Sequence, residues 1–231
     1  MNATENYQPN AVVDLDENAR GTFIARTYAH LLGAIAAFTL IEVYLFKTGQ
    51  AETIFNALTG VSWLWVLGGF VVVSWLASRV AHNVASKPLQ YLALGIFVVA
   101  EAIIFVPLLY LANARADGVI SSAATATIVG FIGLTCIVFA TRKDFSFLRG
   151  LLCWGGVVAL VLIVAGALFG FQLGTYFSVA MIALAGGAVL YDTSNVLHHY
   201  SEDRYVAAAL ELFASVALMF WYILRLFLSR R

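Results

Sequence analysis

Residues 174–197 read GTYFSVAMIALAGGAVLYDTSNVL, a nearly unbroken apolar run with a single acid, Asp192, close to its end. A run of this length crosses the hydrocarbon core of a bilayer, about 30 Å thick, as an α-helix. An ionisable side chain in such a helix is costly and normally faces a bundle interior or a watery cavity, which makes Asp192 a candidate functional residue. Working outward, six further apolar runs cover roughly 24–46, 61–80, 89–112, 118–140, 148–170 and 206–228, each near spanning length. The expected fold is an all-α integral membrane protein, a seven-transmembrane-helix bundle with short connections.

Composition supports this class. The chain has 231 residues, 62% of them hydrophobic and 11% charged, with a mean hydropathy of +0.89, far from a soluble domain. Seven crossings use up the length and leave no room for a soluble catalytic domain. Residues 1–20 are polar and acidic (Asp14, Asp16, Glu17) without a basic leader, so they are expected to form a flexible tail rather than a cleavable signal peptide. Residues 21–231 then make one transmembrane domain. Formal charge is zero with scattered basic residues, which argues against nucleic acid and leaves membrane lipid as the obligatory partner. Cys136 and Cys153 fall in apolar stretches, where small buried hydrophobes are expected.

Seven spans put the N-terminus and the loops bearing Arg79, Lys87, Arg142, Lys143, Arg149 and Arg204 on one side, while the opposite loops carry Lys47 and Arg115. By the positive-inside rule that side is cytoplasmic. Arg225, Arg230 and Arg231 oppose the bias, and six spans plus a re-entrant or interfacial last helix would relieve the conflict. Pro107 is expected to kink the third span or free a carbonyl. Ala183 with Gly186 and Gly187 suits close helix packing.

Four acids lie inside apolar runs: Glu42, Glu101, Asp192 and Glu211. Asp192 and Glu211 stand nine residues before and ten after Ser201, so they sit at similar depth in neighbouring spans. Ala208, Glu211, Ser215, Leu218 and Tyr222 recur at three- and four-residue steps and share one helical face. Paired carboxylates change proton affinity strongly, and with hydroxyl and carbonyl oxygens they coordinate hard cations such as calcium. Glu101 is a candidate pathway residue, and Glu42 nears an interface where it can snorkel. Arg79 is a candidate ion-pair partner of Asp192, or else a headgroup anchor. His30, His82, His198 and His199 show no metal-ligand spacing.

Leu190-Tyr-Asp-Thr193, Ala209-Leu-Glu-Leu-Phe213 continuing to Trp221-Tyr-Ile-Leu-Arg225, Thr141-Arg-Lys-Asp-Phe-Ser-Phe-Leu148, Arg26-Thr-Tyr28 and Pro107-Leu-Leu109 together resemble the Bax inhibitor-1 family in order and spacing. The resemblance implies a seven-helix bundle with a buried last helix and a pH-sensitive calcium leak. It further implies a sensor of two aspartates on the last two helices and a latch arginine on the second. Asp192 matches the first aspartate, while the second falls on Ser215. Glu211, one turn earlier, is the carboxylate that can stand in, and Arg79 is the latch candidate.

The expected function is a pH-regulated cation leak, calcium being the transported or bound ion and no other cofactor implied. The alternative is a non-transporting regulator that binds other membrane proteins, such as a quality-control protease. An enzyme is not expected: segment seven lacks the Gly-x-Gly-Asp companion of intramembrane aspartyl proteases, and no HExxH motif occurs. A bacterial inner membrane is the expected location.

Overall fold

The computed structural model describes residues 11–83, 86–115 and 117–229. Among them run eight helices: α1 Glu17–Lys47, α2 Gln50–Thr59, α3 Trp63–Asn83, α4 Lys87–Arg115, α5 Val119–Thr141, α6 Leu148–Phe169, α7 Thr175–His198 and α8 Tyr205–Ser229. All except α2 are long and apolar enough to cross a membrane. The seven expected spans are therefore present, and the last is a full 25-residue helix rather than a re-entrant one. Residues 1–10 of the expected tail, Arg230 and Arg231 lie outside the described residues.

The first span begins earlier than its apolar run because the acidic residues before it cap it. The Asp16 side chain accepts the Ala19 N–H at 2.7 Å, and Glu17 adds negative charge to the first turn, both favourable at a helix N-terminus. Upstream, Val12–Asp14 forms a single 3-10 turn. Val12 is fully buried, and its N–H donates to the Tyr200 carbonyl at 2.8 Å.

The hydropathy pattern gave no sign of α2. It holds Gln50, Glu52 and Asn56 in ten residues, too short and polar to read as a span. Gly49, at φ +76°, supplies the left-handed turn that folds it back, a conformation glycine adopts at little cost. It packs through Ala51, Ile54 and Phe55 on Leu45, Val106 and Tyr110.

The last described helix, α8, runs through the middle of the bundle. α8 packs on α1, α3, α4, α5 and α7, and 67% of its central window is buried, against 11% for α3 and for α6. Ala207, Ala208 and Ala209 are entirely enclosed, small side chains that let neighbouring backbones approach closely in lipid. Phe213 meets Phe38 and Phe97 edge-on, arrangements that rings favour. α3, α5 and α6 turn apolar side chains outward, because their solvent is hydrocarbon. Trp65, Trp75 and Trp154 lie on that surface. So do Cys136 and Cys153; their apolar surroundings are lipid rather than protein core.

α4 remains helical through the buried Pro107. On α7, a β-carbon at Gly186 or Gly187 would lie 3.4 Å from Leu134 or Leu152, an ordinary contact, whereas one at Gly155 of α6 would meet Leu184 of α7 at 2.6 Å. The α5–α6 connection is clipped to the end of α7. The Phe145 N–H donates to Ser194 Oγ at 2.9 Å, and Asp144 reaches His199 at 3.0 Å. The Ser146 backbone N–H, with His199 in support, holds the Asp144 carboxyl below its usual range.

Candidate functional site

The polar site forms where α7 and α8 meet beneath their hairpin. Asp192 and Ser215 face one another there, both buried, and Ser215 Oγ donates to Asp192 Oδ2 at 2.5 Å. The serine where the resemblance expects an aspartate is thus a direct partner of the first aspartate.

Glu211 lies one turn nearer the hairpin. Its Oε1 accepts from Ser78 Oγ at 2.6 Å and lies 3.7 Å from His82 Nδ1. Across the imidazole, His82 Nε2 pairs with the Tyr200 hydroxyl at 3.2 Å. Enclosure pushes that hydroxyl well above the usual tyrosine range, and the charges of Glu211 and Asp192 add to the effect. Through its carbonyl, Tyr200 also holds Val12. His82 Nδ1 itself pairs with the Ser78 carbonyl at 2.9 Å, so His82 bridges the end of α3 to Tyr200 beside Glu211.

The expected pair shares no hydrogen bond: Asp192 and Glu211 are each held by their own serine. Arg79 is exposed, with its guanidinium 5.0 Å from the Trp75 ring centroid. Among the described residues, no ion pair joins it to Asp192. Its neighbour Ser78 takes the inward position instead.

Glu101 is buried on α4 and shares a cleft with Glu211. Glu42, expected to reach an interface, is buried on α1 at 7% exposure. Neither of its carboxylate oxygens has a hydrogen-bond partner. His30 pairs with Tyr91 and His198 with the Ser194 carbonyl.

The cleft holds about 1260 Å³ and is floored by α8, with α4 and α7 beside it and α3 and α6 as its rims. Glu211, Ser215, Leu218 and Tyr222 of the shared face all line it. From Leu210 to Ser229 it follows α8 for about 28 Å at 1.5 Å per residue, close to the full hydrocarbon thickness. Ser78, Ser215 and Glu211 mark one end and Arg225 the other.

Two carboxylates and two serine hydroxyls give oxygen donors suited to a hard cation. They fall short of the six to eight oxygens calcium takes, so carbonyls and water would complete any shell. Among the described residues there is no group of three or more acidic, histidine or cysteine side chains arranged to hold a metal.

A bundle of seven spans built around its own last helix, with carboxylates enclosed beneath the final hairpin, defines a polytopic membrane protein with an ionisable core. The family described as "Inhibitor of apoptosis-promoting Bax1" matches residues 20–231, and the chain belongs to it. The chain is similar to the "Modulator of FtsH protease YccA" of Escherichia coli K12, with 33% identity over 138 residues, 58% of this chain and 62% of that protein. Similarity to "Protein LIFEGUARD 4" of Arabidopsis thaliana is 34% over 148 residues, 61% of this chain and 58% of that one. Against "Bax inhibitor 1" of Schizosaccharomyces pombe it is 26% over 226 residues, 93% of this chain and 79% of that one. The chain thus covers about three fifths of the length of the first two relatives.

Proposed function

We propose that the protein is a proton-regulated cation pathway, a slow calcium leak of a bacterial inner membrane with its N-terminus in the cytoplasm. One observation carries the reading. Asp192 is bonded in the bundle core to Ser215, which with Glu211 and Glu101 lines a long cleft. Protonation removes the charge on Asp192, loosens its hold on α8 and shifts the bundle toward a second arrangement. Glu211 acts in concert, tied to α3 through Ser78, with His82, which pairs with Tyr200 of the hairpin, 3.7 Å away. A latch role for Arg79 would require it to leave Trp75. No catalytic step belongs to this reading.

Calcium flux into proteoliposomes, measured across pH, tests it. The wild type should show a pH-dependent flux, Asp192→Asn a flux that ignores pH, and Glu211→Gln a displaced response. A pH response unchanged in Asp192→Asn overturns the assignment.

A second reading rests on the relative named a modulator of the FtsH protease: this chain would bind a membrane-embedded protease and alter its output without conducting ions. Capture of the protease together with no flux at any pH would favour it.

A further inference from the structure

The far end of the cleft carries a cation that the proposed pathway does not use. Arg225 is partly buried on α8 and faces the cleft. Its guanidinium donates to the Leu173 carbonyl at 2.7 Å and lies 6.0 Å from the Phe177 ring centroid. None of the ion pairs among the described residues includes it. A partly buried guanidinium is normally matched by an anion, and its planar fork fits phosphate in particular.

The surroundings suit the same ligand. Thr175 and Ser229 bring their hydroxyls within 3.4 Å of one another, and with Gln172 they line this end of the cleft. The first turn of α7 begins here with no side-chain cap at Gly174, which leaves N–H groups free for an anion. Inward from Arg225 the wall turns apolar, with Trp221, Leu218, Leu108, Ile163 and Leu160. Its rims, α3 and α6, are the least buried spans and face hydrocarbon. Water gains little on such a wall, whereas a hydrocarbon chain fills it.

We propose that this cleft is a phospholipid-binding site, with the phosphate seated on Arg225 at the start of α7 and one acyl chain lying along α8 between α3 and α6. Charge complementarity selects the phosphate, and the continuous apolar wall leading inward from it selects a diacyl lipid over a free anion. A lipid seated there would lie across the space between Glu101 and the far end, so its occupancy competes with cation passage. That corollary rests on the leak reading. The site itself does not, and its test measures lipid rather than flux.

Native mass spectrometry of the delipidated full chain in mild detergent, titrated with phosphatidylglycerol, reads the site directly. The wild type should retain one phospholipid. Arg225→Gln should weaken retention about tenfold or more, as expected for loss of a charge-assisted contact, and Arg225→Lys should restore part of it. Leu160→Trp, which narrows the rim without touching the phosphate end, should also lower retention. Diacylglycerol with the same chains should bind at least about tenfold more weakly than phosphatidylglycerol. Equal retention by Arg225→Gln, equal binding of diacylglycerol, or displacement of the lipid by millimolar inorganic phosphate alone would each overturn the proposal.

Discussion

Replacing Ser215 by alanine removes the hydroxyl that donates to Asp192 at 2.5 Å, and the aspartate side chain, 9% exposed, has little water to take its place. Two scales bound the cost. Hydrogen bonds to charged groups in soluble proteins contribute about 1.5–3 kcal/mol. Interhelical hydrogen bonds within a membrane bundle average about 0.6 kcal/mol and reach about 1.7 kcal/mol. A short bond to a buried carboxylate belongs at the upper end of the second scale, so a coupling of about 1–2 kcal/mol is expected. A double-mutant cycle of Ser215→Ala, Asp192→Ala and the double variant isolates it, read as stability in detergent micelles near pH 7. By the scaling for chains of this size, Ser215→Ala alone lowers Tm by about 2–8 °C. Additive single effects, with a coupling below about 0.3 kcal/mol, would refute the bond and with it the view that Ser215 replaces the second aspartate as partner of Asp192.

Three other outcomes follow from the geometry. Tyr200 is kept protonated in the folded protein, its pKa raised, so its contribution to stability is complete below the free tyrosine value of about 10 and fades as pH climbs above it. Melting curves from pH 8 to 11 should therefore fall less steeply for Tyr200→Phe than for the wild type, and parallel slopes would argue against an enclosed hydroxyl. Asp144 has a lowered pKa, so its contribution is present above about pH 4 and is lost as pH falls through its folded value. Asp144→Asn should cost a small amount of stability at neutral pH, with a deficit that disappears in acid titrations. Glu42 has two unpartnered buried oxygens, so Glu42→Met should be neutral or stabilising by up to about 2 kcal/mol in thermal unfolding; a loss greater than about 1 kcal/mol would mean that the carboxyl has a role the fold does not explain.

The spans were legible because hydrocarbon imposes a length and a composition on every crossing helix. The run at 148–170 and the helix Leu148–Phe169 differ by a single residue at the end. The first span departed most, since Asp16 and Glu17 read as tail acids and act as a cap. α2 escaped notice because an interfacial helix needs no long apolar run. Asp192 stood out as a lone acid in an apolar helix, and the three- and four-residue steps of α8 correctly placed Glu211 and Ser215 on one cleft-facing side. The partners of Glu211 were not legible. Ser78 and His82 sit four residues apart on the last turns of α3, a visible spacing, but only the packing of α3 on α8 aims them at Glu211. Tyr200 lay within a hairpin whose charges read as surface decoration, and the Val12 contact that buries its neighbourhood comes from the opposite end of the chain.

The central claim is that the charge state of Asp192 sets the conductance of the bundle. Its most direct test is calcium flux through purified wild type and Asp192→Asn in matched proteoliposomes, each measured at a series of pH values. The account predicts a flux that changes with pH in the wild type and a constant flux in Asp192→Asn. A pH response of equal midpoint and amplitude in both proteins, or no flux from a folded wild type at any pH, would contradict it.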